Sequence, residues 1–275
     1  MYGIKWSKVN SSPNVDDVII VCTGPSLKNF DFNSLRNKGY IIAVNDGAKF
    51  VPFANAWFTL DPWGLTTTQV PRNFQGDLFA AVPSDYGTEN ASNTTHRVIP
   101  RKKVNYLHRI AFHTDERTKL SDYLNWGLNE DPSCINTGNS GFGALNLAYH
   151  MNPKRVFLFG IDASKGYFFN EKQSTRSLDH LPPIFKSAVP QLNKRGIEVI
   201  NASPSSRLDC FTKCTLPVAL KMLSNKSYVN TETLPEQIAA APITPPIPSR
   251  HVVQEQRTRT PIQPAISTTF RRIRR

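Results

Sequence analysis

Apolar residues along this chain fall in short continuous runs separated by polar turns. Val18–Cys22 is an unbroken, mostly β-branched run that stops at Gly24-Pro25, the pattern of a parallel strand buried on both faces. Tyr40–Val44 repeats the pattern and stops at Asn45-Asp46-Gly47. Ala56–Leu60 stops at Asp61-Pro62, and Leu78–Val82 forms a fourth run. Between the first two strands the spacing predicts a helix with Asp31 as its N-cap and Gly39 just past its end. Periodicity is weak from Asp85 to Asn129, which reads as an irregular insertion. Gly141–Met151 then carries Phe142, Leu145 and Tyr149 at helical spacing and leads into Arg155–Ile161, the strongest strand of the chain. A helix within Pro183–Arg195, ended by Gly196, precedes a strand at Ile197–Ile200. Strands alternating with helices predict an α/β, Rossmann-like fold: a mainly parallel sheet flanked by helices, with right-handed crossovers.

Composition divides the chain into three parts. Residues 1–16 are a polar N-terminal extension without the apolar centre of a signal peptide. Residues 17–230 make the nucleotide-binding body, and residues 231–275 make a disordered tail rich in proline and arginine. That tail holds seven of the 21 prolines, seven arginines, no lysine and three acids, and it closes on Phe270-Arg-Arg-Ile-Arg-Arg275. Its cluster reads either as a solubilising end or as an electrostatic tether to nucleic acid or acidic lipid. The formal net charge of +12 favours an anionic partner without choosing among nucleotide, nucleic acid and membrane surface. Cys22, Cys134, Cys210 and Cys214 show no C-x-x-C spacing. Cys210 and Cys214 are spaced for one helix face, and free thiols in a reducing cytoplasm are the reading taken. Nothing approaches the ~18 consecutive apolar residues of a membrane span. In that setting the Asn-x-Ser/Thr triplets at Asn90, Asn93 and Asn201 are chance matches.

Three polar clusters fall at the carboxyl ends of predicted strands, where open α/β sheets bind ligands. In Thr23-Gly24-Pro25-Ser26, a glycine right after a buried strand lets backbone N–H groups approach a phosphate, and Ser26 adds a hydroxyl. A Gly→Val change at residue 24 is therefore expected to weaken nucleotide binding more than folding. Asn45-Asp46 suits a ribose or a base edge, or serves as a plain turn. Thr137-Gly138-Asn139-Ser140-Gly141 opens a predicted helix, a geometry that binds anions or merely caps the helix. Asp162 closes the strongest strand in the same region. The G-x-G-x-x-G fingerprint, the Gly-Lys-Ser/Thr phosphate loop and an Asp-x-Asp pair are all absent, so no dedicated metal site of that last kind is expected.

In this order the motifs Val-Cys-Thr-Gly24-Pro-Ser-Leu, Ala-Val-Asn45-Asp, Thr137-Gly-Asn-Ser-Gly141 and Arg155-Val-Phe-Leu-Phe-Gly-Ile-Asp162 resemble the bacterial sialyltransferases of glycosyltransferase family 42. They are also similar to the archaeal 6-hydroxymethylpterin diphosphokinase-like domains. The likeness covers roughly Asp17 to Arg207. It implies a nucleotide held by the Gly24 loop, the Asn45 turn and the Thr137–Gly141 loop. It also implies metal-free transfer from a cytidine-monophosphate sugar to an acceptor, with no separate cofactor. A histidine after the Gly-Ile-Asp strand and just before a helix serves as general base in the sialyltransferases, and His180 stands at that place. Thr23 replaces their asparagine before Gly-Pro-Ser, and Ser164 stands near where they place a tyrosine that helps the leaving phosphate. Tyr167 is the nearby candidate for that phosphate contact.

Three readings of function follow. The first is a nucleotide-sugar-dependent glycosyltransferase with His180 as base. The second is a diphosphokinase-like enzyme, whose chemistry needs a metal that Asp46, Asp61 and Asp162 at three strand ends could hold. The third is a non-enzymatic module docked on nucleic acid or a protein assembly through its basic tail.

Overall fold

The computed structural model describes residues 5–10, 15–61, 70–71, 73–84, 104–111, 119–164, 166–169 and 178–225. All of these belong to one compact unit, 1–233. The basic tail and the Asn90 and Asn93 triplets lie outside the described residues.

Among the described residues there are nine strands: β1 Asp17–Val21, β2 Tyr40–Val44, β3 Ala56–Thr59, β4 Asp77–Val82, β5 Val104–Ile110, β6 Cys134–Asn136, β7 Arg155–Phe159, β8 Glu198–Asn201 and β9 Thr212–Lys213. Four α-helices accompany them: α1 Ser140–Met151, α2 Leu181–Lys186, α3 Val189–Lys194 and α4 Leu216–Ser224. The strands form one sheet in the order β6-β5-β4-β3-β2-β1-β7-β8-β9, and every neighbouring pair is parallel. The Rossmann-like α/β class expected from the alternation is therefore what the chain adopts.

Strand β1 lies at the centre, and its residues Val18 to Val21 are fully buried, as an uninterrupted apolar run requires when helices cover both faces. Ile20, Phe58, Leu107 and Val156 face the layer made by α1, α2 and α3. Ile19, Trp57, Phe157 and Ile200 face the opposite layer, which includes α4. Each of these large side chains contributes about 1.5–3 kcal/mol by leaving water. At the amino end, Asp17 receives a two-pronged bond from Arg155, 2.7 Å from Nε and 2.8 Å from Nη2, and so ties β1 to β7 in register.

Several elements differ from the sequence expectation, each for a local reason. Asp31 does cap a turn, its Oδ1 accepting from the Asn33 N–H at 3.0 Å, but the result is the single 3-10 turn Phe32–Leu35. Asn37 turns left-handed at φ 60 and stops it. The segment read as an irregular insertion contains β5, whose sequence Val-Asn-Tyr-Leu-His-Arg-Ile places polar residues on both faces and hides the period of two. Strand β6 has only three residues and gave no readable pattern. The helix expected within Pro183–Arg195 is two helices, because Pro190 lacks the N–H that a continuous helix would bond to Lys186 O. Strand β9 and helix α4 were not expected at all, and Cys210 and Cys214 flank β9 instead of sharing a helix face. Residues 5–10 run beside β5, with Trp6 bridged to Tyr106 and its ring stacked 3.7 Å from His108. Among the described residues no helix is long and apolar enough to cross a membrane. Asn201 is fully buried, so its Asn-Ala-Ser triplet offers no glycan acceptor.

Candidate functional site

The strand order reverses at β1: β2 to β6 extend to one side, while β7, β8 and β9 extend to the other. The carboxyl ends of β1 and β7 therefore border the crevice where doubly wound sheets receive ligands. The Gly24 loop leaves β1 there. Its backbone continues the ladder, with Cys22 N–H on Phe159 O and Gly24 N–H on Gly160 O, both at 2.9 Å. The Ser26 N–H donates to Asp162 Oδ2 at 2.8 Å, and Ser203 Oγ donates to Asp162 Oδ1 at 2.6 Å. Asp162 is buried, and both of its oxygens hold protein donors; in this arrangement it latches the loop. A Cβ on residue 24 would stand 2.5 Å from Asp162 Oδ2 and 2.5 Å from Gly160 O. The close approach that demands glycine is thus made to β7's own loop. Ser26 Oγ is buried without a hydrogen-bond partner, a hydroxyl that folding leaves open. The Cys22 thiol is pushed up to about 12 by burial and then by the charge of Asp162, which removes it as a nucleophile.

The second and third clusters meet beside this loop. Asn45 ends β2 in the left-handed region at φ 51, which asparagine tolerates better than most residues. Its Nδ2 donates to Ser140 Oγ at 3.2 Å, and its Oδ1 accepts from Thr59 Oγ1 at 2.8 Å. Asp46 turns away to pair with Lys49 at 2.7 Å. Asn139 caps α1, accepting from the Gly141 N–H at 2.7 Å. A Cβ on Gly141 would lie 3.4 Å from Cys22 Sγ and 3.2 Å from Ile161 Cδ1, so the start of α1 abuts the ends of β1 and β7. Gly24, Ser26, Asn45, Ser140 and Asp162 accordingly gather around one end of the sheet. Thr137 is buried behind them, its N–H and Oγ1 both donating to Ile110 O at 3.0 and 3.2 Å.

A deeper network supports that loop. Asn146 on α1 is fully buried, and its Oδ1 accepts from the N–H groups of Asn136 and Asn129, both at 2.9 Å. His150, one turn on, is buried with Nε2 3.0 Å from Cys134 O. A carbonyl only accepts, so in this contact the nitrogen donates, while in the contact with Asn146 Nδ2 at 3.2 Å it would accept; the ring tautomer decides between them. Burial holds the His150 pKa below its usual value.

His180 precedes α2, and its Nε2 lies 3.2 Å from Gly138 O. The same reasoning makes Nε2 the donor and leaves Nδ1 with the lone pair of the neutral ring. Tyr123 lies beside the ring at 5.8 Å between centroids. A Cβ on Gly138 would meet Ile184 Cδ1 at 2.1 Å, so this glycine lets α2 approach the loop. Asp179 pairs with Arg207 at 2.8 Å. Tyr167 is exposed in the segment 166–169, which hangs on the Gly24 loop through Phe168 N–H to Thr23 O at 3.1 Å. Asp46 and Asp162 are thus engaged by different partners, and among the described residues no three of His, Cys, Asp and Glu come together to hold a metal ion.

Sequence reasoning missed Arg109. It lies near the carboxyl end of β5, with Nη1 3.3 Å from Leu60 O and Nε buried without a partner. Leaving such a donor dry costs about 1–3 kcal/mol. The signal was present as an arginine at the end of an apolar run, but the strand that would have made it meaningful was not recognised.

No family model matches the chain, and no curated protein matches it by sequence. Solved structures that resemble it are glycosyltransferases. The MAf glycosyltransferase from Magnetospirillum magneticum AMB-1 aligns over 76% of this chain with a TM-score of 0.49 and 14% identity. This chain spans 35% of that protein's length. The sialyltransferase CstII from Campylobacter jejuni, in complex with the substrate analogue CMP-3FNeuAc, aligns over 73% of this chain and 86% of its own, with a TM-score of 0.38 and 16% identity. Its complex with cytidine-5'-monophosphate gives 0.40 and 18% over 73% of this chain and 85% of its own.

Proposed function

We propose that this protein is a metal-independent glycosyltransferase that moves a sugar from a nucleotide-sugar donor, a cytidine-monophosphate sugar in the first instance, to an acceptor hydroxyl. The observation that carries the reading is the convergence of the Gly24 loop, Asn45 and the start of α1 at the β1–β7 crevice, with His180 on the Gly138 carbonyl of the same loop. The motif order that resembles the sialyltransferases supports it as well. Four cysteines, all unpaired, support a reducing compartment such as the cytoplasm.

In this reading the nucleotide lies across the crevice. The unpartnered Ser26 hydroxyl and the N-terminus of α1 face its phosphate, and Tyr167 approaches from segment 166–169. Nδ1 of His180 takes the proton of the acceptor hydroxyl. The freed oxygen attacks the anomeric carbon, and the bond from that carbon to the phosphate oxygen breaks, its electron pair leaving with the nucleotide. Asp162 contributes by fixing the Gly24 loop and transfers no proton.

Thermal unfolding of the full chain against a panel of nucleotides and nucleotide sugars tests the proposal. A ligand at 100 times its dissociation constant adds about 2.7 kcal/mol of stability. Stabilisation by cytidine monophosphate and its sugars supports the reading, and a flat response across the panel overturns it.

A further inference from the structure

We infer that Arg109 selects the acceptor, holding an oxyanion, carboxylate or phosphate, on the molecule whose hydroxyl faces His180. The inference rests on the transferase reading and adds the chemical class of the acceptor.

Arg109 shares its side of the sheet with Leu107, which faces the α1, α2 and α3 layer. Its guanidinium reaches past β4 to the carbonyl of Leu60, the residue after β3. Among the described residues no carboxylate pairs with it, and Nε is buried with nothing to bond. A half-buried guanidinium with one N–H unbonded is a fork suited to a carboxylate or phosphate edge, and planar oxyanions are its best partners.

Position separates this group from the nucleotide crevice. Leu60 follows a strand two places from β1, about 10 Å away at ordinary strand spacing. The crevice itself lies on the far side of β1, against β7. Arg109 and His180 instead both neighbour the Thr137–Gly138 loop. Ile110, the neighbour of Arg109, accepts from the Thr137 N–H and hydroxyl, while His180 holds Gly138 O. A donor phosphate in the β1–β7 crevice leaves Arg109 to the acceptor, which His180 would engage at the loop that both residues adjoin.

The test is calorimetric titration of the full chain, saturated with cytidine monophosphate, using glucose 6-phosphate, glucuronate and uncharged glucose as probes. At least one charged probe is expected to bind about tenfold tighter than glucose, and which of the two does so identifies phosphate or carboxylate as the partner. Arg109→Gln should abolish that preference while cytidine monophosphate affinity stays unchanged. Arg109→Lys should retain part of it, since the charge survives and the fork does not. A wild-type protein that prefers no charged probe, or an Arg109→Gln variant that keeps the preference, overturns the inference. If Arg109→Gln fails to fold, the wild-type and Arg109→Lys titrations decide by the same criteria. Failure of cytidine monophosphate to bind counts against the transferase reading separately, because the charged-probe preference is also scored in titrations without the nucleotide.

Discussion

At the β1–β7 crevice nearly every polar group that the loops present is already bonded to protein. The Gly24 N–H meets Gly160 O, the Ser26 N–H and Ser203 hydroxyl fill the two oxygens of Asp162, and Ser26 Oγ is the hydroxyl left over. Across the start of α1, at the ends of β5 and β6, the polar groups are incompletely used. Arg109 keeps a buried N–H without a partner, and His180 spends one nitrogen on Gly138 O and leaves the other with its lone pair. In the proposed transferase, neighbouring regions at one end of the sheet thus divide the work. The first would serve as a seat whose shape is set before any ligand arrives, and the second would supply a donor and the proposed base. Substitutions should separate the two by what they damage.

The largest expected effect is on the second region. His180→Ala should lower transfer by about 10²–10⁴-fold, because the base acts only as the acceptor oxygen attacks. Nucleotide affinity and unfolding free energy should stay close to the wild-type values, since the ring bonds only an exposed loop carbonyl among the described residues. Steady-state rates alongside calorimetric nucleotide titration check this. Unimpaired transfer removes His180 from the mechanism.

Next come substitutions in the rigid seat, where folding and binding should fall together. Gly24→Val brings a Cβ within 2.5 Å of the Gly160 carbonyl and of Asp162, and neither can move without unlatching the loop. Overpacking of this kind costs about 1–3 kcal/mol or more. Asp162→Ala removes the acceptor of two hydrogen bonds in a buried place and should cost about 3 kcal/mol. Urea unfolding with and without nucleotide measures both losses. The sequence suggested that valine at position 24 would harm binding more than folding. The neighbouring atoms reverse that expectation, since the glycine is needed by the protein itself. Loss of affinity at unchanged stability would restore the original view.

These cases show what was legible beforehand. The parallel sheet was readable because β1, β2, β3, β4 and β7 are continuous apolar runs ending in turn residues. The polar clusters at their ends were readable for the same reason: a strand's end fixes where the following loop must lie. Strand β5 was hidden by Asn105, His108 and Arg109, and with it went a guanidinium that keeps a buried N–H without a partner. The role of Asp162 was equally invisible, because its partners Ser26 and Ser203 lie 136 and 41 residues away in sequence. Spacing reveals which end of the sheet a residue occupies. It does not reveal whether the protein or a ligand satisfies it.

A smaller effect, again in the second region, follows from pH. His150 anchors Cys134 O beneath the Thr137–Gly141 loop, and burial lowers its pKa, offset in part by the bond to Cys134 O. Arg195 nearby also lowers it, while Glu130 and Asp131 raise it. The unfolded chain therefore takes up this proton at a higher pH than the folded one. Stability is complete above the ordinary value of 6.5 and is lost as pH falls through that value toward the depressed folded one. Urea midpoints measured from pH 7.5 down to 5 should decline, and His150→Gln should flatten that part of the decline. An unchanged slope in the variant would assign the loss to other groups. Hydrogen exchange should show the β6 end loosening before the β1–β7 crevice does.

The smallest effect belongs to Asn201, at the end of β8 on the crevice side. Its side chain is fully buried, yet neither Oδ1 nor Nδ2 finds a hydrogen-bond partner. Such an amide has lost its water without replacement, so removing both polar atoms while keeping the volume discards a penalty along with a side chain. Leucine is close to asparagine in shape, and the buried Val199, two residues back on the same face, shows that this side of the strand already packs apolar groups. Asn201→Leu should therefore leave unfolding free energy within about 1 kcal/mol of wild type, on either side of zero. Asn201→Asp, which buries a charge in the same place, should cost several times as much. The pair of variants, unfolded side by side in urea, separates shape from polarity. If leucine cost as much as aspartate, the amide would have to be bonded in solution to a water or ligand, and the crevice side would hold a second open position beside Ser26.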